Sequence, residues 1–291
     1  MPRSSLRCGF PILLTAFVLA AGAARARAQA DEKPSRLNSE ILSVDNSVSL
    51  SYVGSSVYYI EPDNGQVGSG YYDSEKGNIK GGRGAFSYMG SHGEFVQAQY
   101  TGQEGQLNYD GFLIGGPPYV PINGTSRSTI QELEVKAGAG FAVARSWVFT
   151  PYVTAGRRYW VRELGLGTSG DYNESYSFGY LGFGNLIQYS PRRRLVLSLD
   201  VSAAKMMDAN INVPSAGLNH TVLGPGPVIR AGVEADYRLW RWLHGFVGLD
   251  YTYFNFWQSA TQASGYLEPV SRTELYSASA GLRVSFKNLL P

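Results

Sequence analysis

With 291 residues, 25 basic and 23 acidic side chains and one cysteine, the chain can build one large domain or two small ones. It lacks the basic excess of a nucleic-acid binder, and no disulfide can close within it. No segment after the N-terminal region offers the roughly 18 uncharged apolar residues of a membrane helix, which excludes a helical bundle in a bilayer.

The N-terminus reads as an export signal. Arg3 and Arg7 precede an apolar run from Phe10 to Ala21, and Ala28-Gln29-Ala30 supplies the small residues that a signal peptidase reads. Residues 1–30 are expected to be cleaved, which removes the sole cysteine, Cys8, and leaves 21 basic and 23 acidic residues. Residues 31–46 are polar and read as a periplasmic lead-in, followed by one domain over residues 47–287.

From Ser47 onward the dominant signal is a period of two, the mark of strands with one apolar face. Val48, Leu50 and Tyr52 alternate with serines in the first strand; a second strand follows near 80–89, and a third near 94–102 sets Phe95, Gln97, Gln99 and Thr101 against Val96, Ala98 and Tyr100. In the fourth, near 128–143, Leu133, Val135, Ala137 and Ala139 oppose Glu132, Glu134, Lys136 and Gly138. Phe149, Pro151, Val153 and Ala155 alternate with Thr150, Tyr152, Thr154 and Gly156 in the fifth. An aromatic strand, 172–189, shows a slip of phase near Leu181 that suggests a bulge. Leu195, Leu197 and Leu199 then oppose Val196, Ser198 and Asp200. Ile229, Ala231, Val233 and Ala235 oppose Arg230, Gly232, Glu234, Asp236 and, one step on, Arg238. In the ninth strand Val247, Leu249 and Tyr251 oppose His244, Phe246 and Asp250.

Connections sort by parity. Links after odd strands, such as 61–78 and 103–127, are long and rich in Gly, Asn and Ser; links after even strands are short. A membrane barrel shows this sorting, with long loops outside the cell and short turns in the periplasm. Charges at mid-strand also suit a barrel interior, where they can pair or meet water, better than a dry core. The expected fold is therefore all-β: a closed antiparallel up-and-down transmembrane barrel of about ten strands, with eight or twelve as alternatives.

The last strand, 275–286, places Tyr276, Ala278, Ala280, Leu282 and Val284 on one face and Ser277, Ser279, Gly281, Arg283 and Ser285 on the other. Its run Gly281, Leu282, Val284, Phe286 resembles the C-terminal assembly signal of bacterial outer-membrane barrels, although Val284 stands where an aromatic is common and five residues follow Phe286. Over the mature sequence the chain resembles the opacity-like and OmpA-like class of small outer-membrane barrels. That resemblance implies an outer-membrane location, lipid and lipopolysaccharide as neighbours, the barrel-assembly machinery as a partner, and an extracellular ligand held by loops.

No catalytic, metal or cofactor site is legible, and an enzyme is not expected. His220 has no aspartate beside it, so the omptin-type protease pattern fails; no histidine follows His244, where a barrel deacylase would need one. His92 and His244 lie near turns and read as surface residues. Glu61, Asp63, Asp73 and Glu75 read as a solvated acidic loop without calcium-loop spacing. The apolar cluster Phe112, Leu113, Ile114, Tyr119 and Val120 marks a contact patch or a loop folded back over the barrel.

Two further expectations concern charge. Arg157 shares the apolar face of its strand and is expected at the outer rim, against lipid phosphates. Glu132, Glu134, Lys136, Arg158, Asp200, Arg230, Glu234, Asp236, Arg238, Asp250 and Arg283 are expected to point inward as a mutually neutralising network. Counting from the turns sets Glu132 opposite Arg158 and Arg230 diagonal to Asp250. The leading functional reading is a structural or surface-binding barrel, with a narrow solute channel second and a barrel hydrolase third.

Overall fold

The computed structural model describes residues 37–63, 70–113, 120–165, 172–216, 218–261 and 267–288. A short helix α1 (Ser39–Asp45) leads into β1 (Ser47–Pro62), β2 (Tyr71–Met89), β3 (Glu94–Leu113), β4 (Val120–Ala139), β5 (Phe141–Ala144) and β6 (Trp147–Leu164). Next come β7 (Tyr172–Arg192), β8 (Leu195–Val213), β9 (Leu218–Val222), β10 (Pro227–Arg238), β11 (Leu243–Phe256) and β12 (Ser271–Ser285). Every pairing is antiparallel, and β12 closes onto β1 from Ser47↔Ser285 to Ile60↔Arg272. Ten staves make the barrel. β5 extends the line of β4 beyond a break at Gly140, and β9 adds to the upper part of β8.

Period two sorts the faces as expected. Outward residues form an apolar belt: Leu50 is 71 % exposed, Phe183 63 %, Leu249 62 % and Leu282 54 %. So much exposed aliphatic surface suits lipid rather than water. Aromatic pairs rim the belt, with Trp147 stacked on Tyr189 (4.3 Å) at the turn end and Tyr251 against Tyr276 (5.1 Å) at the other. At ~3.3 Å per residue and a tilt of ~40°, the stretch from Trp147 to Tyr159 rises ~30 Å, the depth of a bilayer core.

The strands are longer than their composition suggests. β2 begins at Tyr71 and β3 runs to Leu113, so Asp73, Glu75 and residues 103–113 belong to paired strand rather than loop. Gly, Asn and Ser carry weak strand propensity, but a stave with partners on both sides completes its backbone hydrogen bonds whatever its composition. The staves thus project well past the belt at the end opposite the short turns. We call these the extended end and the turn end.

Three local expectations change. The phase slip lies in β8, not β7: Ser177 pairs with Asn210 but Gly179 with Met207, and Asp208 adopts φ 50° at the bulge. Within the stretch read as a polar lead-in, residues 39–45 form α1 and bury Ile41 and Val44. Phe286 leaves the strand, starts a 3₁₀ turn and stacks on Phe86 at 5.9 Å. Gly281 is required where it stands, since a Cβ there would meet the Leu50 carbonyl at 2.4 Å and Ser51 Cβ at 2.6 Å. Leu282 and Val284 face the belt.

Candidate functional site

The lumen is filled in three tiers. At the turn end sits α1, capped by Asn38, whose side chain accepts from the amides of Glu40 (2.9 Å) and Ile41 (3.4 Å). Ile41 and Val44 pack on Val148 and Val196. Asn46 reaches from the helix end to the Met89 carbonyl (2.9 Å), Gln188 donates to Asp45 (2.9 Å), and Arg238 pairs with Glu40 (3.1 Å). The helix therefore packs inside the mouth against β2, β6, β7, β8 and β10.

His244 is part of this packing and not a surface residue, being 1 % exposed. Its Nδ1 lies 2.6 Å from Asp236 Oδ1 and its Nε2 2.9 Å from Ser43 Oγ. The order Ser, His, Asp matches that of a hydrolytic triad. Ser43 lies inside α1 and is 1 % exposed, so the trio is enclosed between the helix and the barrel wall. Asp236 is held in turn by Arg283 (2.7 Å), and Ser43 by Ser285 (3.3 Å). The trio ties the plug to the wall.

The middle tier is the charge network. Glu132 and Arg158 face each other in register and pair at 2.7 Å, as turn counting predicts. Glu132 also takes Arg230 and the Tyr180 hydroxyl (2.7 Å), and Glu134 takes Arg230 (2.9 Å). Lys136 pairs with Asp200 (2.5 Å), which Tyr152 also engages; Arg283 bridges Glu234 (2.8 Å) and Asp236. The register places Arg230 diagonal to Asp250 as counted, with Arg230 opposite Thr252 and Gly232 opposite Asp250, but the two do not pair: Arg230 turns to Glu132 and Glu134, while Asp250 pairs with Arg83 of β2 (3.2 Å). Arg83 was missed because glycines flank it and hide the phase of its strand. Arg238 lies below the others, on the plug. Between these side chains is a polar cavity of about 160 Å³ lined by Gln99, Gln103, Ser202 and Ser277 as well as the ions, room for a few waters.

Above the cavity comes a tier that the sequence reading did not foresee. Tyr59, Trp160, Tyr176, Phe178, Phe254 and Phe256 point inward and are each at most 1 % exposed. Trp160 packs edge-on to Tyr59 (5.3 Å) and Phe254 (6.0 Å), and Tyr176 stacks on Phe256 (5.2 Å). Over them lies Arg162, bonded to Asp73 (2.8 Å), Glu75 (2.9 Å) and Glu174 (2.6 Å). Of the acids read as a solvated loop, Glu61, Asp73 and Glu75 are thus buried, while Asp63 is half-buried just past β1. The signal was present, since the inward phase of Tyr152, Thr154 and Arg158 continues through Trp160 to Arg162.

Arg157 faces outward and is exposed, and its guanidinium lies 5.1 Å from the Tyr159 ring. Phe112 lies in β3 and Val120 in β4, with Leu113 paired to Val120, so that part of the patch is a strand hairpin. Ile114 and Tyr119 lie outside the described residues. His220 is exposed in β9 at φ 58°.

No protein-family model and no curated protein sequence matches this chain. Among solved structures it is similar to the Escherichia coli outer membrane protease OmpT (TM-score 0.48, 9 % identity, 83 % of this chain and 97 % of that one). The β domain of the Bordetella autotransporter BrkA is similar too (TM-score 0.41, 12 % identity, 83 % and 100 %), as is the Yersinia pestis attachment invasion locus protein Ail (0.32, 12 %, 82 % and 99 %). The chain is a small barrel of the outer-membrane type. Its own belt and closed sheet carry that statement, because likeness at these values carries no argument about chemistry.

Proposed function

We propose that this protein is a sealed outer-membrane shaft, exported by a cleaved signal, whose extended staves and loops act as a structural, surface-binding element outside the cell. One observation carries the reading: two independent parts of the chain close the lumen, α1 at the turn end and the aromatic tier at the extended end. A conduit needs neither seal, and a hydrolase needs an accessible nucleophile that the buried Ser43 does not provide. Lipid and lipopolysaccharide surround the belt, Arg157 meets their phosphates, and the assembly machinery reads Gly281, Leu282, Val284 and Phe286. The residues around Val120 serve as a contact patch for an extracellular ligand.

Conductance in planar bilayers tests this. The parent should show none, and neither should a variant lacking residues 37–45, because the aromatic tier still stands. Trp160→Ala combined with that deletion should conduct. Stable, ion-selective conductance in the parent would overturn the reading in favour of a channel.

A further inference from the structure

The carboxylates at the extended end outnumber their cations. Glu61 of β1, Asp73 and Glu75 of β2, Glu174 of β7 and Glu268 before β12 are all buried, from 0 to 7 % exposed. The cation within this group is Arg162 of β6, with Glu61 at 3.9 Å in addition to its three closer partners. Phenols also surround these acids. Tyr59 donates to Glu61 and lies with its ring 4.0 Å from the guanidinium. The Tyr176 hydroxyl is 3.1 Å from Glu174 and 2.9 Å from Glu268, and Tyr109 of β3 and Tyr172 of β7 face the same group.

One guanidinium cannot neutralise five carboxylates away from water. A metal ion does not make up the difference, because among the described residues no set of acidic side chains converges closely enough to hold one. Asp73 Oδ1 and Glu75 Oε1 are buried without a hydrogen-bond partner. What remains is the usual response of a buried acid, which is to take up a proton. We propose that this group is a proton-operated clasp: shared carboxyl protons hold β1, β2, β6, β7 and the segment at Glu268 together, and loss of those protons opens the extended end while the membrane belt stays shut.

The group lies beyond the upper rim of the belt, and its acids respond accordingly. Burial pushes Asp73 up to about 7, Glu61 well above the usual carboxylate range, and Glu174 upward; nearby carboxylates add to the effect and Arg162 opposes it. The sign follows from linkage. A carboxyl whose value is raised in the closed form keeps a proton there that the open form gives up, so closure is strongest in acid and weakens as pH rises. For Asp73 the window runs from the ordinary 3.8 to about 7, and for Glu61 it extends higher.

Hydrogen exchange on the refolded full-length protein, corrected for the intrinsic pH dependence of exchange, reads this directly. The opening equilibrium of residues 71–75, 160–164 and 172–176 should rise about tenfold or more from pH 5 to pH 7, while residues 148–153 within the belt stay unchanged. Asp73→Asn and Glu61→Gln should each lessen that slope and keep the extended end protected at pH 8. The parent should also show the infrared carbonyl band of protonated carboxyl groups at pH 6, diminished in both variants. A flat exchange profile in the parent, or absence of that band at pH 6, would overturn the clasp, and both measurements stand even if the variants fail to fold.

Discussion

Glu132→Ala probes the lumen most sharply, because Glu132 is the node of the middle tier. It accepts from Arg158 and Tyr180 at 2.7 Å each and engages Arg230. Removing it leaves Arg158 without a carboxylate partner among the described residues, its Nε and Nη1 already unpartnered and its guanidinium 4.8 Å from the face of Phe254. Arg230 keeps Glu134 at 2.9 Å, so its share of the loss is small. A stranded buried cation costs ~3 kcal/mol and an unsatisfied phenol ~1, which puts the expected loss at ~4 kcal/mol, inside the ~3–5 typical of a broken buried pair. The check is reversible urea unfolding in phospholipid vesicles. Arg158→Met added to Glu132→Ala should recover more than half of the loss by removing the stranded charge. Glu134→Ala should cost only ~1–2 kcal/mol, since Lys136 keeps Asp200 and Arg230 keeps Glu132. A Glu132→Ala protein within ~1 kcal/mol of the parent, with no rescue by Arg158→Met, would mean that bulk water screens these charges. The lumen would then be open to bulk water rather than sealed.

Two other outcomes are expected. Refolding of the parent should be more efficient in vesicles containing lipopolysaccharide, and Arg157→Leu should lose that gain while matching the parent in vesicles without it; equal behaviour in both would remove Arg157 from the lipid rim. A fluorophosphonate probe should leave Ser43 unlabelled in the folded protein, and stoichiometric labelling would show that α1 opens with the triad intact.

What the sequence disclosed follows from where the two faces of a strand differ most. Within the belt one face meets lipid and the other the lumen, so Leu133 and Glu134, or Leu282 and Arg283, sit on opposite sides of a pattern legible at a glance. Counting from a tight turn then fixed Glu132 opposite Arg158. Legibility faded wherever that contrast faded. Arg83 lies among glycines, which show no face. Asp73 and Glu75 lie beyond the belt, where both faces carry polar residues and the composition imitates a loop. α1 is seven residues long, under two turns, so only Ile41 and Val44 three apart and the cap at Asn38 could have betrayed it. Its assignment to the lumen depends on contacts with staves far away in sequence, such as Asn46 with Met89 and Glu40 with Arg238.

The charges of the middle tier still need a reason, since well-packed apolar residues could fill a shaft at least as stably. Their mixture argues against one reason: Arg83, Lys136, Arg158, Arg230 and Arg283 line the cavity against Asp45, Glu132, Glu134, Asp200, Glu234 and Asp250, so neither sign dominates the lining. Their placement supplies another. A stave apolar on both faces would have no preferred side, and a slip of one residue in pairing would cost it little. With Glu132, Glu134 and Lys136 on one face of β4, the same slip would turn three charges toward lipid, at ~2–4 kcal/mol for a basic residue near the midplane. The network thus does for register what the plug and the aromatic tier do for closure. Specificity of the fold is set inside the barrel, where the alternation of charged and apolar residues favours one register.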